Sequence, residues 1–493
     1  MPRPNIILIV ADQLRGDCLG IEGRHPVLTP RLDGLAAAGA RFTHAYSTAP
    51  VCIPARRSLL SGQAPRSHGL LGFRDGVEWD EERTLPALLR AAGYHTQLVG
   101  REMHQHPARK RFGYDEMTIG EDYQRWLAER LGTDAEHDPA DPYGGPLYST
   151  GIMQNDWTVA PWPYPDDTHF TAWTITQARR FLQRRDPSQP YFLTISLLAP
   201  HPPLVPPAFY LDRYLRMELP EPVVGDWADE PDTPHAPDAA RARLDGELGR
   251  AARAAYYGLI NHIDDQLGRV LTMLNGLRGA GAQSGNTVVA VTADHGEMLG
   301  DHHLWRKSLP YEGAARIPLL IRAPERYGIR PGTVLDSPVS LEDVMPTLLD
   351  FAGVEAPAGI DGVSLRPLLT TAAPLDRDPV HLELANGDGS SFQALTDGRT
   401  KYVWFTETGR EHLFDLRADP GEAIDLAEHE GQADRLKEWR QMLIAALADR
   451  PEGFVDGGAL VPGRPYHPVP THLAPPPQIT DSKQITDSKG TSA

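Results

Sequence analysis

Short apolar, β-branched runs recur along the N-terminal two-thirds of the chain, each followed by a stretch with helical spacing. The clearest are "NIILIV" (5–10), "HTQLVG" (95–100), "YFLTISLL" (191–198) and "NTVVAVTA" (286–293), which read as buried strands. Between them, "TPRLDGLAAAG" (29–39) opens with Thr29 as cap and Pro30 in the first turn and closes at Gly39. "SLEDVMPTLLDFAG" (340–353) sets Ser340 against Asp343 as a capping box and stops at Gly353. A longer amphipathic pattern runs from Leu244 to Leu277. Strands alternating with helices predict an α/β fold, a large, mostly parallel sheet sandwiched by helices.

The pattern changes near residue 370. "HLELANG", "SFQALTDG", "TKYVWFT" and "EHLFDL" alternate apolar and polar positions between turn residues, which predicts a smaller C-terminal antiparallel sheet. The helical stretch "QADRLKEWRQMLIAALADR" follows and suits packing on it. Three segments result: 1–370, 371–450, and a Pro- and Gly-rich tail, 451–493, ending in the near-duplicate "QITDSKQITDSK" and read as extended or disordered. The Pro-, Asp- and Glu-rich stretch 219–241 reads as a surface loop. In "NDWTVAPWPYPDD", Trp157 and Trp162 either line a substrate entrance or staple the surface.

Composition narrows the function. With 41% hydrophobic and 23% charged residues, the 493-residue chain has the make-up of a globular protein of more than one core. Its formal charge of −18 argues against nucleic-acid or anionic-membrane partners, which are held through basic patches. Two cysteines make neither a disulfide framework nor a Cys-rich zinc site. The N-terminal apolar run, Ile6 to Val10, is too short for a signal-peptide core, and no stretch is long enough to span a membrane, so a cytoplasmic location is expected.

The chemistry gathers where the strands end. The first is followed by Ala11-Asp12-Gln13, the last by Ala293-Asp294-His295, the second by Arg101 and His104, and the third by His201. Open α/β sheets bind ligands outside the carboxyl ends of their strands, so one shared site is expected. Asp12 and Asp294 brought together would repel unless a cation lay between them. With Gln13 and His295 the set offers mostly oxygen and one imidazole, which suits one hard divalent ion, Ca²⁺ or Mn²⁺. The alternative is that the two aspartates cap separate helices and never meet.

Cys52 lies in "VCIPARRSLLSG", two residues before Pro54, which fits a first helical turn. It then faces orphan N–H groups and the positive end of the helix dipole, with Arg56 and Arg57 one turn on. An anion over Cys52 would meet helix terminus and guanidinium together. The competing reading is a small buried hydrophobe.

"CIPARRSLLSG" resembles the maturation signature of the type I, formylglycine-dependent sulfatases, Cys-x-Pro-x-Arg followed by Ser-Gly. "NIILIVADQLRGDCLG", "TPRLDGLAAAGARFTHAY", "ADHGEMLGDHHLWRKSLPYEGAARIPLLIRAP" and "DGVSLRPLL" resemble the family in the same order, and "HLFDLRADPGEAIDLA" its C-terminal closing motif. The resemblance covers roughly residues 4 to 430 and implies the alkaline-phosphatase-like fold with a small C-terminal sheet.

It also implies that Cys52 is oxidised to formylglycine by a maturation enzyme that reads Pro54 and Arg56, and that the aldehyde hydrate attacks the sulfur of a sulfate ester. By the same resemblance Asp12, Gln13, Asp294 and His295, with the modified Cys52, match the metal ligands. Arg56 matches the arginine holding the hydrate, and His104 the histidine that deprotonates it. His201 and Lys307 match the groups that bind sulfate and protonate the leaving oxygen. Two departures stand out. Gln13 and His295 replace the commoner acidic and amide ligands and make the site less anionic, which loosens the preference for Ca²⁺ over Mn²⁺ while Ca²⁺ stays favoured. The family's Gly-Lys reads Gly100-Arg101, placing Arg101 as the sulfate clamp.

The expectation is a sulfatase acting on small-molecule sulfate monoesters, compatible with a homo-oligomer. Two rivals remain: a phosphonate monoester or phosphodiester hydrolase with the same site, and an unmodified metal-binding homologue without turnover. His68 and His302 recur near such sites, but loop-bracing hydrogen bonds explain them equally well.

Overall fold

The computed structural model describes residues 2–132, 157–231, 244, 246–276, 284–371, 373, 375, 377–387 and 389–470. The near-duplicate repeat, the start of the tryptophan-bearing insert and most of 232–245 lie outside them.

The strands of the large sheet are β1 (Asn5–Asp12), β2 (Ala40–Tyr46), β3 (His95–Gly100), β4 (Glu116–Ile119), β5 (Tyr191–Pro200), β6 (Thr287–Ala293), β7 (Arg316–Arg322), β8 (Thr333–Leu335) and β9 (Val339–Ser340). They lie in the order β4-β3-β5-β1-β6-β7-β2-β8, with β9 also on β2. Only β7 runs antiparallel to its neighbours. The centre is parallel, so β1, β3, β5 and β6 deliver their carboxyl ends to one edge. Every residue of β1 and β6 is buried, which requires cover on both faces. One helical group gathers on the long helix Gly246–Gly276; another joins Cys52–Ser61, Leu85–Ala91 and Val344–Ala352. Among the described residues no helix is long and apolar enough to cross a membrane.

The small sheet is a meander of β10 (Val380–Leu384), β11 (Phe392–Thr396), β12 (Thr400–Phe405) and β13 (Glu411–Asp415), as its alternation predicts. Helix Ala433–Leu447 lays Trp439, Leu443 and Leu447 on it. Lys401 of β12 is wholly buried and reaches Glu312 and Glu422 at 2.8 Å each, tying this sheet to the large one.

Three local expectations need correction. Thr29 stands before helix Pro30–Ala37 but does not cap it; Asp264, on the long helix, accepts the N–H groups of Arg31 and Leu32 at 3.1 and 2.8 Å. Gly39 is no left-handed stop: a Cβ there would lie 2.3 Å from the Ile321 carbonyl, so the residue serves close strand approach. The tail is not free as far as residue 470. Phe454 packs on Trp404, the Tyr466 hydroxyl donates to Glu383 at 2.9 Å, and Leu71 N–H donates to the Pro468 carbonyl at 2.7 Å. The capping box of Ser340 and Asp343 is present, and Gly353 ends its helix with φ 67°.

Glu342, in the turn that box opens, accepts from the Thr48 hydroxyl and is 2% exposed. Burial pushes its carboxyl up to about 7. An unfolded glutamate titrates near about 4.3, so the neutral form's contribution is fully present below that value and is lost as pH rises through about 7. The melting temperature of Glu342→Gln relative to the parent is therefore expected to rise by about 1–2 °C between about pH 6 and pH 8, read by differential scanning fluorimetry.

Candidate active site

Strands β1 and β6 run in register with Ala11 opposite Ala293, so Asp12 and Asp294 leave the sheet side by side. Gln13 then turns through a left-handed conformation, φ 66°. Tyr256 holds that turn: its hydroxyl donates to the Gln13 carbonyl at 2.6 Å and accepts the Arg15 N–H at 3.1 Å.

Both carboxylates are wholly buried, and Arg56 bridges them. Its Nε donates to Asp294 Oδ2 at 2.8 Å and its Nη2 to Asp12 Oδ2 at 2.9 Å; Nη1 donates to Ser196 Oγ at 3.1 Å. Arg101 adds an ion pair to Asp12 Oδ2 at 2.5 Å. The Oδ1 atoms face elsewhere. His295 Nε2 lies 3.8 Å from Asp12 Oδ1 and 3.7 Å from Asp294 Oδ1, and Cys52 Sγ lies 3.2 Å from His295 Nε2. One ligand atom from each of Asp12, Cys52, Asp294 and His295 lies within 4.8 Å of the others. His295 Nδ1 donates to the Gly296 carbonyl at 2.9 Å, which leaves the Nε2 lone pair for this point.

Two carboxylate oxygens, an imidazole nitrogen and the side chain at position 52 therefore converge as a divalent cation requires. The electrostatics agree. Burial opposes ionisation of Asp12, yet Arg101, His201 and Arg56 hold its carboxyl well below the usual range. Asp294, equally buried and facing Asp12, is pushed up, a penalty that a cation would remove.

Cys52 is the first residue of helix Cys52–Ser61, Val51 before it being extended. Burial and Asp12 push its thiol up, but Lys307, His295 and a hydrogen bond from His104 outweigh them and bring it well below the ordinary cysteine value. Arg57 turns away, stacking over Trp79 at 5.0 Å and donating to Gln105 at 3.0 Å.

The remaining residues named from the sequence stand around Cys52. Lys307 Nζ donates to Gln13 Oε1 at 2.8 Å. His201 receives its place from a backbone bond to the Asp12 carbonyl at 3.2 Å, and its Nδ1 donates to the Pro202 carbonyl at 2.7 Å, leaving Nε2 for the site. Burial, with Lys307 beside it, lowers His201 to about 3, so its ring is neutral near neutral pH. His104 has φ 54°, and its Nδ1 is 3.5 Å from Arg101. Arg56, Arg101 and Lys307 gather at the site, supplying the cationic groups an anionic substrate requires.

Other candidates fall away. His68 braces Ser58 at 3.0 Å, and His302 accepts from the Gly225 N–H at 3.0 Å. Trp157 and Trp162 are buried rather than lining an entrance; Trp157 packs on Trp305, next to the Lys307 loop. Cys18 and Cys52 are both free and buried. Asp17, Cys18 and His25 also cluster, but Arg15 already neutralises Asp17 at 2.7 Å.

Sequence reasoning missed Glu297. Its Oε2 accepts from the Gln13 side-chain amide, while Oε1 accepts the N–H groups of Leu299 and Arg306. One buried carboxylate thus orients Gln13 and shapes the loop carrying Lys307. Its signal was an acidic residue three places after Asp294 in "ADHGE".

The family model described as Sulfatase matches residues 4–354, and that described as N-sulphoglucosamine sulphohydrolase, C-terminal, matches 300–449. The chain is 38% identical to an arylsulfatase of Clostridium perfringens, the alignment covering 94% of this chain and 98% of that protein. It is 32% identical to a choline-sulfatase of Rhizobium meliloti, over 87% and 83% of the two. Among solved structures it resembles the phosphonate monoester hydrolase of Agrobacterium radiobacter, with a TM-score of 0.76 and 25% identity over 94% of this chain and all of that one.

Proposed function

We propose that this chain, which belongs to the sulfatase family and is a sulfuric ester hydrolase, cleaves sulfate monoesters with a formylglycine made from Cys52 and one divalent metal ion. The observation that carries the reading is the convergence of Cys52 Sγ, His295 Nε2 and the Oδ1 atoms of Asp12 and Asp294. Asp12, Asp294 and His295 would hold the metal beside position 52, with Gln13 offering its Oε1. When present, the metal and the hydrated aldehyde supply a charge-compensated, acidified hydroxyl as nucleophile.

The chain's own groups do the rest. Arg56 fixes both aspartates through their Oδ2 atoms, so their Oδ1 atoms keep facing one point. Arg101 and Lys307 receive the sulfate oxygens beside His201, and Lys307 gives its Nζ proton to the departing alkoxide. His104 takes the proton of the hydroxyl left at position 52 when sulfate is expelled.

Hydrolysis of p-nitrophenyl sulfate by enzyme coproduced with a formylglycine-generating enzyme tests the reading; no turnover with the aldehyde present would refute it. Glu297→Gln is expected to weaken divalent-ion binding roughly tenfold by calorimetric titration, because it loosens the residues flanking the ligands. The likeness to the Agrobacterium hydrolase favours one second reading, phosphonate monoester or phosphodiester cleavage at the same site. A phenyl phosphonate p-nitrophenyl ester, which shares the leaving group, decides between them by its kcat/KM.

A further inference from the structure

Lys307 stands between two residues of left-handed backbone, Arg306 with φ 70° and Ser308 with φ 69°. Neither is glycine, so each keeps this conformation only while its surroundings impose it. Arg306 is held from one side, its N–H donating to Glu297 Oε1. Ser308 is held from the other. Its N–H donates to the Pro50 carbonyl at 2.8 Å, two residues before Cys52, and its carbonyl accepts from Asn386 Nδ2 at 2.9 Å.

Asn386 follows strand β10 of the small sheet, and that strand is pinned to the frame around the nucleophile helix. Glu383 N–H donates to the Thr48 carbonyl and Ala385 N–H to the Leu71 carbonyl, each at 2.8 Å. The two acceptors lie on either side of helix Cys52–Ser61 in the chain. The approach is close: a Cβ on Gly72 would fall 2.0 Å from the Ala385 carbonyl oxygen. The asparagine is fixed in turn. Its backbone N–H donates to Ser391 Oγ at 3.0 Å, and Nδ2 also donates to Ser390 Oγ at 2.9 Å. A carbonyl partner requires the amide to present its nitrogen, so the side chain has one orientation.

We propose that Asn386 is a positioning residue for Lys307: by holding the Ser308 carbonyl it sets where the ammonium meets the leaving oxygen. The assignment rests on the sulfatase reading above. Lys307 Nζ has to leave Gln13 Oε1 to reach a substrate oxygen, so the backbone on either side must fix its place. The small sheet thereby becomes part of the catalytic machinery.

The test compares wild type, Asn386→Ala and Lys307→Ala, each matured to the aldehyde, on phenyl sulfate and p-nitrophenyl sulfate. The nitrophenolate departs with little need of a proton, whereas the more basic phenolate needs one, and kcat/KM reports the step that releases it. Lys307→Ala sets the scale of that difference. Asn386→Ala is expected to lose roughly tenfold in kcat/KM on phenyl sulfate and roughly threefold at most on p-nitrophenyl sulfate. A contact that served folding alone would lower both equally. A second readout needs no turnover. Trypsin cuts after Arg306 and Lys307 only when this loop opens, so Asn386→Ala is expected to be cut there roughly fivefold faster than wild type, with other sites unchanged. Asn386→Asp keeps the shape but turns an acceptor toward the carbonyl; it is expected to behave likewise, and serves if Asn386→Ala fails to fold. Equal losses on the two esters where Lys307→Ala discriminates, or unchanged cleavage, would overturn the assignment. Equal losses by Lys307→Ala itself would remove Lys307 as proton donor and the assignment with it. Faster cleavage, with neither ester hydrolysed by wild type, would uphold the hold on Lys307 and reject the sulfatase reading.

Discussion

Cys52→Ser is expected to lower kcat on any sulfate ester by on the order of 10⁴-fold or more, leaving the fold intact. Cys52 is 2% exposed and close-packed at a helix start, and serine is smaller and tolerated there, so melting temperature should change little. The loss comes from chemistry. A serine hydroxyl that attacked the sulfur would carry the sulfate as a stable ester, having no second oxygen on the same carbon to expel it. The variant should therefore stop within one turnover, and intact-protein mass would show either bound sulfate or none. Sustained turnover by Cys52→Ser would contradict the account.

Arg56→Ala is expected to cost about 3–5 kcal/mol of stability, because it strips the shared counter-charge from two buried carboxylates. Asp294 is already pushed up by burial and by Asp12; without Arg56 it is pushed further, and the two carboxylates depend on a bound cation to stay charged side by side. Activity should fall by at least about a hundredfold even with saturating metal. Arg56→Lys, which can reach one carboxylate at a time, should recover part of the stability and little of the activity. Thermal melts with and without added Ca²⁺ or Mn²⁺ separate the effects: a divalent ion should restore melting temperature more in Arg56→Ala than in the parent.

Much of this was legible in the sequence where short-range rules apply. The four strands read from apolar runs are β1, β3, β5 and β6, and they bring Asp12, Arg101, His201 and Asp294 to one edge. Strand β7 was harder, because Pro318 within "RIPLLIR" speaks against a strand. The cap of helix Pro30–Ala37 comes from Asp264, more than two hundred residues away, and no local pattern reports that. Likewise, proline content suggested an extended or disordered tail, whereas Phe454 and Tyr466 anchor its first part. Glu297 and Tyr256 escaped notice because their roles consist of hydrogen bonds to Gln13 formed only once the sheet has assembled.

The central claim is that position 52 is chemically converted beside the Asp12–Asp294 pair. The most direct measurement is the mass of the tryptic peptide containing residue 52, taken from enzyme coproduced with a formylglycine-generating enzyme. The account predicts a peptide in which one oxygen replaces the sulfur and two hydrogens are lost, trapped by a hydrazide probe, in proportion to sulfate-ester turnover. An intact, alkylatable thiol in a preparation that hydrolyses sulfate esters at full rate would contradict it.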